Sequence, residues 1–188
     1  MGRTIFPPAM TVLVFGMVAA CAGGGEGGPP NLPSVPTSSG IRLRSSGFED
    51  GAPIPRTFTC DGSNVSPPLA WTGGPLAAEY ALVVMDPDAP DGEFVHWVIY
   101  GIRGTRSSLA QGEVPEEAKQ GKNSFGNVGY GGPCPPSGDQ AHHYVFTLYA
   151  MKSSVTSKLA PGAAAKQVVD AATRAGAATG TLTGTYQR

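Results

Sequence analysis

The run Tyr144-Val145-Phe146-Thr147-Leu148-Tyr149 carries the clearest structural signal in the chain. β-Branched and aromatic side chains fill it, and turn residues bound it, so the stretch from His143 to Met151 reads as a strand. Working outward, Tyr80 to Met85 and Phe94 to Ile102 have the same character, Arg56 to Cys60 a shorter version, and Thr181 to Tyr186 a weaker alternation that would close a sheet. Strong breakers separate these runs: Ser66-Pro67-Pro68, Thr72-Gly73-Gly74-Pro75, Asp86-Pro87-Asp88-Ala89-Pro90 and Gly131 to Gly138. Two stretches predict helix. Pro115 to Gln120 makes a turn or so, with acids first and Lys119 last. Ala163 to Ala175 follows Pro161-Gly162, stops at Gly176, and presents Val168, Val169 and Ala172 on one side. The expectation is a mainly β, mostly antiparallel fold with a late helix.

Composition agrees. A chain of 188 residues suits one ordinary domain. Its 27 glycines and 18 prolines are about a quarter of the sequence, but 40% hydrophobic content supplies a core. A net charge of −1 lacks the basic excess of a nucleic-acid binder, so no nucleic-acid partner is expected.

The first forty residues differ from the rest. Arg3 precedes the apolar run Ala9 to Ala20, whose length fits a signal-peptide core and falls short of a membrane span. Val18-Ala19-Ala20-Cys21 resembles a bacterial lipobox, which makes residues 1–20 a lipoprotein signal peptide and Cys21 the lipidated mature N-terminus. An ordinary secretory signal is the alternative. Residues 21–40, rich in Gly, Pro and Ser, form a flexible tether with a reach of about 25 Å, and residues 41–188 form the domain. The implied location is the extracytoplasmic face of a bacterial cell membrane, the outer membrane if the source has one. Without residues 1–20 the chain keeps 12 basic and 14 acidic residues, so membrane contact is expected through the anchor alone.

Three cysteines is an odd count for an exported protein. With Cys21 given to lipid, Cys60 and Cys134 remain as a disulfide pair closing a loop of about 75 residues. Two buried thiols, or a Cys134 nucleophile activated by His142 or His143, are the other readings.

Four polar clusters sit where strands meet loops: Cys60 to Trp71, Asp86-Pro87-Asp88-Ala89-Pro90 leading to Phe94-Val95-His96-Trp97, Gly129 to Pro136, and His142-His143-Tyr144. In this order the blocks resemble the phosphatidylethanolamine-binding protein family, in its bacterial Raf-kinase-inhibitor-like branch. The resemblance runs from about residue 41 to Gly184-Thr185-Tyr186-Gln187-Arg188 and is most specific in Asp86 to Pro90 and in Gly132-Pro133-Cys134-Pro135-Pro136 through His142. It implies a sandwich of two antiparallel sheets with short peripheral helices. It also implies a small anion pocket at one rim, formed by Asp86, His96, His142 and Tyr144, with Pro136 as a wall.

The chemistry of those residue types is consistent with that pocket. Imidazole and phenol donate hydrogen bonds to a phosphate with little flexibility. Asp86 would repel an anion that it touched directly, so one carboxylate, Asp86 or Asp88, is expected to orient an imidazole from behind. Both also suit turns made by the neighbouring prolines. Backbone amides of Gly131-Gly132 would add donors, and with ordinary histidines binding would weaken above neutral pH. Trp71 and Trp97 are expected in the core, His143 on the surface, and Asn64 and Ser66 bonded within their own loop.

The leading function is therefore a lipid-anchored binding module for a phosphorylated small molecule or phospholipid headgroup, acting on a protein partner where it regulates one. It needs no cofactor and no metal. The alternatives are a hydrolase, using Cys134 with His142 or a metal held by Asp86, His96 and His142, and a surface scaffold that binds no ligand.

Overall fold

The computed structural model describes residues 40–188. The signal peptide, Cys21 and most of the tether lie outside the described residues.

Among the described residues nine strands form two sheets. β1 (Arg42–Ser45), β2 (Leu69–Thr72) and β5 (Ser108–Leu109) make a small antiparallel sheet in the order β1-β2-β5. The larger sheet has six strands: β8 (Gly162–Ala164), β6 (Lys119–Lys122), β4 (Phe94–Arg103), β3 (Glu79–Asp86), β7 (His142–Met151) and β9 (Ala178–Tyr186), in that order. Its long central strands are antiparallel; only β6 and β8 run parallel.

The alternation along β7 explains the layering. Tyr144, Phe146 and Leu148 point toward the small sheet and join Leu43, Trp71, Trp97, Ile99 and Leu182 in the main core. The opposite face of the large sheet, through Ala81, Val83, Val98 and Tyr100, is covered by α1 (Ala165–Arg174), which buries Val168, Ala171 and Ala172. The sheet is thus covered on both faces, which is why β3 reads as a continuous apolar run rather than an alternating one. The buried residues of both cores lie between Ile41 and Leu182, with Tyr186 packed against the first.

The five expected strands include one error. Arg56 to Phe58 is a 3-10 turn, not a strand. The Thr59 hydroxyl bonds the Arg56 carbonyl at 2.9 Å, and the Phe58 and Gly62 amides bond Pro55 and Thr59, a local network that competes with any ladder. The expected helix at Pro115 to Gln120 is also overturned. Ala118 closes a single turn onto Pro115, after which Lys119–Lys122 pairs with Ile99 and Tyr100 as β6. Helical charge order was misleading there: the Lys119 amine spans to the Thr156 and Leu159 carbonyls, at 3.1 and 3.2 Å. Gly121 fits that strand because a Cβ would sit 2.2 Å from the Ala163 carbonyl oxygen. The late helix forms as expected, ending before Gly176, whose φ of 63° is the left-handed stop.

Cys60 and Cys134 are joined in a disulfide with Cα atoms 5.4 Å apart, which removes the separate-thiol and Cys134-nucleophile readings. Around it the Cys60 amide donates to the Pro133 carbonyl at 3.1 Å, fixing the 60s loop to the Pro-rich turn.

Candidate functional site

At one end of the large sheet, β3 ends, β4 and β7 begin, and β9 finishes, because Asp86 pairs with Phe94 and His142 with Tyr186. A cavity of about 420 Å³ opens there. Asp86, Asp91, His96, Ser124 and His142 provide its polar lining; Ala89, Pro90, Phe94, Phe125, Pro135 and Pro136 provide the apolar part.

His96 reaches the cavity through a ladder irregularity. Val84 faces Trp97 and Met85 faces Val95, so His96 is the residue without a partner on β3, as in a bulge that re-aims a side chain. Its ring is 2% exposed and packed edge-on against Tyr144, with centroids 5.0 Å apart, and against Phe125 at 5.5 Å. Nδ1 lies 2.7 Å from the Gly131 carbonyl. A carbonyl only accepts, so Nδ1 carries the proton and Nε2 is the acceptor of the neutral ring. Burial pushes the His96 pKa below its ordinary 6.5, against the opposing pull of the Gly131 carbonyl and the Asp86 charge.

His142 is held differently. Its Nδ1 donates to Asp86 Oδ2 at 2.8 Å, and Asp86 Oδ1 accepts the Asp88 amide, also at 2.8 Å. Asp86 thus orients an imidazole and closes the Asp-Pro-Asp turn at once. Asp139 lies 3.7 Å from His142 Nε2. One residue on, His143 points out of the sheet as alternation requires, and Asp88 takes both its amide and its Nδ1 at 2.7 Å. Those two bonds from His143 hold the Asp88 carboxyl below its ordinary pKa.

Not every expected residue lines the cavity. Tyr144 is fully buried beneath it, and its hydroxyl has no hydrogen-bond partner among the described residues. Burial first and Asp86 second push its pKa up, with the Cys134 backbone offsetting part of this. Gly132 belongs to an adjacent hollow of about 260 Å³ with Cys60, Asn64, Asn123, Asn127 and Tyr130. The expected donors from Gly131-Gly132 are already committed. The Gly131 amide bonds the His96 carbonyl at 2.9 Å, and the Gly132 amide bonds Asn64 Oδ1 at 2.7 Å. This also corrects the role of Asn64, which bridges two loops rather than bracing its own.

Sequence reasoning missed Phe94, Phe125 and Asp91 in the lining. Phe94 sits two residues before His96, and period-two alternation was the available signal. Phe125 had none, since it stands on a loop placed only by β6. As for a metal, each imidazole spends Nδ1 inside the protein, and among the described residues no three His, Cys, Asp or Glu side chains converge as cation ligands.

Residues 44–187 match the sequence profile described as phosphatidylethanolamine-binding protein. The chain belongs to the phosphatidylethanolamine-binding protein family. Among its relatives is LppC of Mycobacterium tuberculosis, a lipoprotein by its name, 40% identical over 98% of this chain and 96% of that one. Two crystal structures of the family superpose with a TM-score of 0.72 each. One is the Chlamydia trachomatis homolog CT736, 36% identical over 80% of this chain and 99% of that one; the other is E. coli YbcL, 29% identical over 79% and 98%. The two-sheet fold is therefore the family fold.

Proposed function

We propose that the protein is a lipid-anchored, extracytoplasmic binding module whose cavity takes a phosphorylated small group, either a phospholipid headgroup or a soluble phosphate ester. The observation that carries this reading is the pair of imidazoles lining one cavity, each pinned at Nδ1, His142 by Asp86 and His96 by Gly131. Pinning fixes the rings so that each Nε2 is the edge available to a ligand. The likeness to LppC over nearly the whole chain supports the anchor at Cys21.

The cavity also has acids, and they select among anions. A bare dianion would meet Asp86 and Asp91, with Asp139 beside His142. A zwitterion suits the site better, its phosphate against the imidazoles and its ammonium against Asp91 and Asp139. His96 is neutral at pH 7, so its Nε2 binds a phosphate by accepting a P–OH proton, or by taking up a proton with the ligand. Affinity should rise as pH falls.

Calorimetric titration of residues 40–188 with phosphorylethanolamine and with inorganic phosphate, at about pH 5.5 and about pH 8, tests this. The expected result is tighter binding at the lower pH, phosphorylethanolamine ahead of phosphate, and loss of both in His96→Ala. Equal affinity in wild type and His96→Ala overturns it.

A further inference from the structure

Exposed charge is distributed unevenly between the two ends of the large sheet, for the acids at the end far from the cavity are committed, Glu79 buried against Ser154 and Asp170 paired with Lys166. Asp86, Asp88, Asp91, Glu93 and Asp139 gather at the cavity end, where β3 stops and β7 starts. At the opposite end, where β7 stops and α1 leads into β9, lies a hollow of about 190 Å³. Val155, Leu159, Ala171 and Ala175 line its apolar part, and Ser153, Lys158 and Arg174 supply its polar groups; no acid lines it. Lys152 stands beside it, its side chain 3.9 Å from where a Cβ on Gly176 would be. Lys152, Lys158 and Arg174 are all exposed, and among the described residues none makes an ion pair within 4 Å. The nearest acid on the helix, Asp170, is taken by Lys166 at 2.8 Å.

The chain that leads in from the N-terminal side joins the domain at this same end. Ile41 packs on Gly180, where a Cβ would lie 2.7 Å from the Ile41 side chain. Gly180 pairs with Leu148, six residues along β7 from His142, so the junction is about 20 Å from the cavity end. Three exposed cations, of which only Arg174 feels a nearby acid (Asp170), stand on an apolar-floored hollow at the end of the large sheet where the tether joins its other face, and together they make a surface for one partner.

We infer that the face formed by Lys152, Ser153, Lys158 and Arg174 rests on the anionic lipid surface of the membrane that holds the protein. Lipid phosphates meet the cations, and the apolar floor takes the adjoining glycerol region of one lipid. The location of this contact rests on the anchor reading of Cys21; its chemistry does not. Each cation near an anionic surface contributes about fivefold in binding, so the face orients a tethered domain rather than anchoring a free one.

Flotation of the unacylated chain, residues 22–188, with phosphatidylcholine vesicles containing about one-third phosphatidylglycerol, at about 10 mM lipid and low salt, tests the inference. Binding is expected to be stronger there than to pure phosphatidylcholine, with that difference lost at about 0.5 M salt. Lys152→Gln, Lys158→Gln and Arg174→Gln combined should weaken it about a hundredfold. Lys122→Gln, which removes an exposed cation on β6 outside this face, should leave it unchanged, and a preference for the anionic vesicles that persists in His96→Ala separates this face from headgroup capture in the cavity. Equal partition to both vesicle types, or wild-type binding by the triple variant, overturns it. Acylation of Cys21, read by mass on the exported protein, is an independent outcome that tests the anchor.

Discussion

Replacing both Cys60 and Cys134 by serine is the perturbation with the most defined magnitude. The bridge spans a sequence separation of 74 and so closes a loop of 75 residues in the unfolded chain. Loop-closure entropy for that length corresponds to about 4.5 kcal/mol at 25 °C. A domain of this size has a stability of about 5–15 kcal/mol, so the variant should lose a third or more of it. The native state keeps other ties between the two loops, the Cys60 amide to Pro133 and the Gly132 amide to Asn64. The loss therefore falls mainly on the unfolded chain, and the cavity wall at Pro135 and Pro136 should hold its place. Urea unfolding followed by the fluorescence of Trp71 and Trp97, both in the core, reads the change as a lower midpoint. Reductant should weaken the wild type to a similar degree and leave the double variant unaffected. A loss under about 1 kcal/mol, or a double variant that still responds to reductant, would refute the reasoning.

Tyr144→Phe removes a buried hydroxyl that makes no well-aligned hydrogen bond and has only the Cys134 backbone beside it; stability should hold or rise by about 1 kcal/mol in urea unfolding, and a fall larger than that shows that the Cys134 contact is a full hydrogen bond. Gly121→Ala forces a Cβ to within 2.2 Å of the Ala163 carbonyl and 2.8 Å of Val98, so a loss of about 2 kcal/mol or more is expected, with near-neutral behaviour refuting the packing of β6 on β8. His96 also predicts a pH effect. Its folded pKa lies below 6.5, so between the two values the unfolded chain binds more protons, and the stabilising share of His96 is present above pH 6.5 and shrinks as pH falls through the folded value. The difference in unfolding free energy between wild type and His96→Phe should follow that course, and a difference that does not change with pH argues against a buried neutral ring.

The long strands of the large sheet, β3, β4, β7 and β9, were legible because their runs of strand-forming residues are long and bounded by turn residues. β1, β2, β5, β6 and β8 were not, since each is two to four residues long and its pairing is set by a partner far away in sequence. Lys119-Gln120-Gly121-Lys122 is polar throughout and becomes a strand only because β4 and β8 flank it. The histidines and Asp86 were visible as a group through their place at strand ends. What sequence left hidden was the division of hydrogen bonds: which imidazole Asp86 holds, that His143 goes to Asp88, and that Asn64 and the His96 carbonyl consume the glycine amides. The tertiary register decides those pairings, and local propensity carries no trace of them.

That last commitment bears on how a ligand would be counted in protons. With the Gly131 and Gly132 amides occupied, a phosphate taken up as proposed would meet imidazoles rather than fixed backbone dipoles, and burial already favours the neutral form of His96. Complex formation would then be an acid–base event as well as an association. Its measured heat should depend on the ionisation enthalpy of the buffer, with protons drawn from solution when binding occurs above the pKa of His96. The protein would respond to ligand concentration and acidity together, so that outside the cytoplasm, where pH is less closely held, occupancy of the cavity reports both.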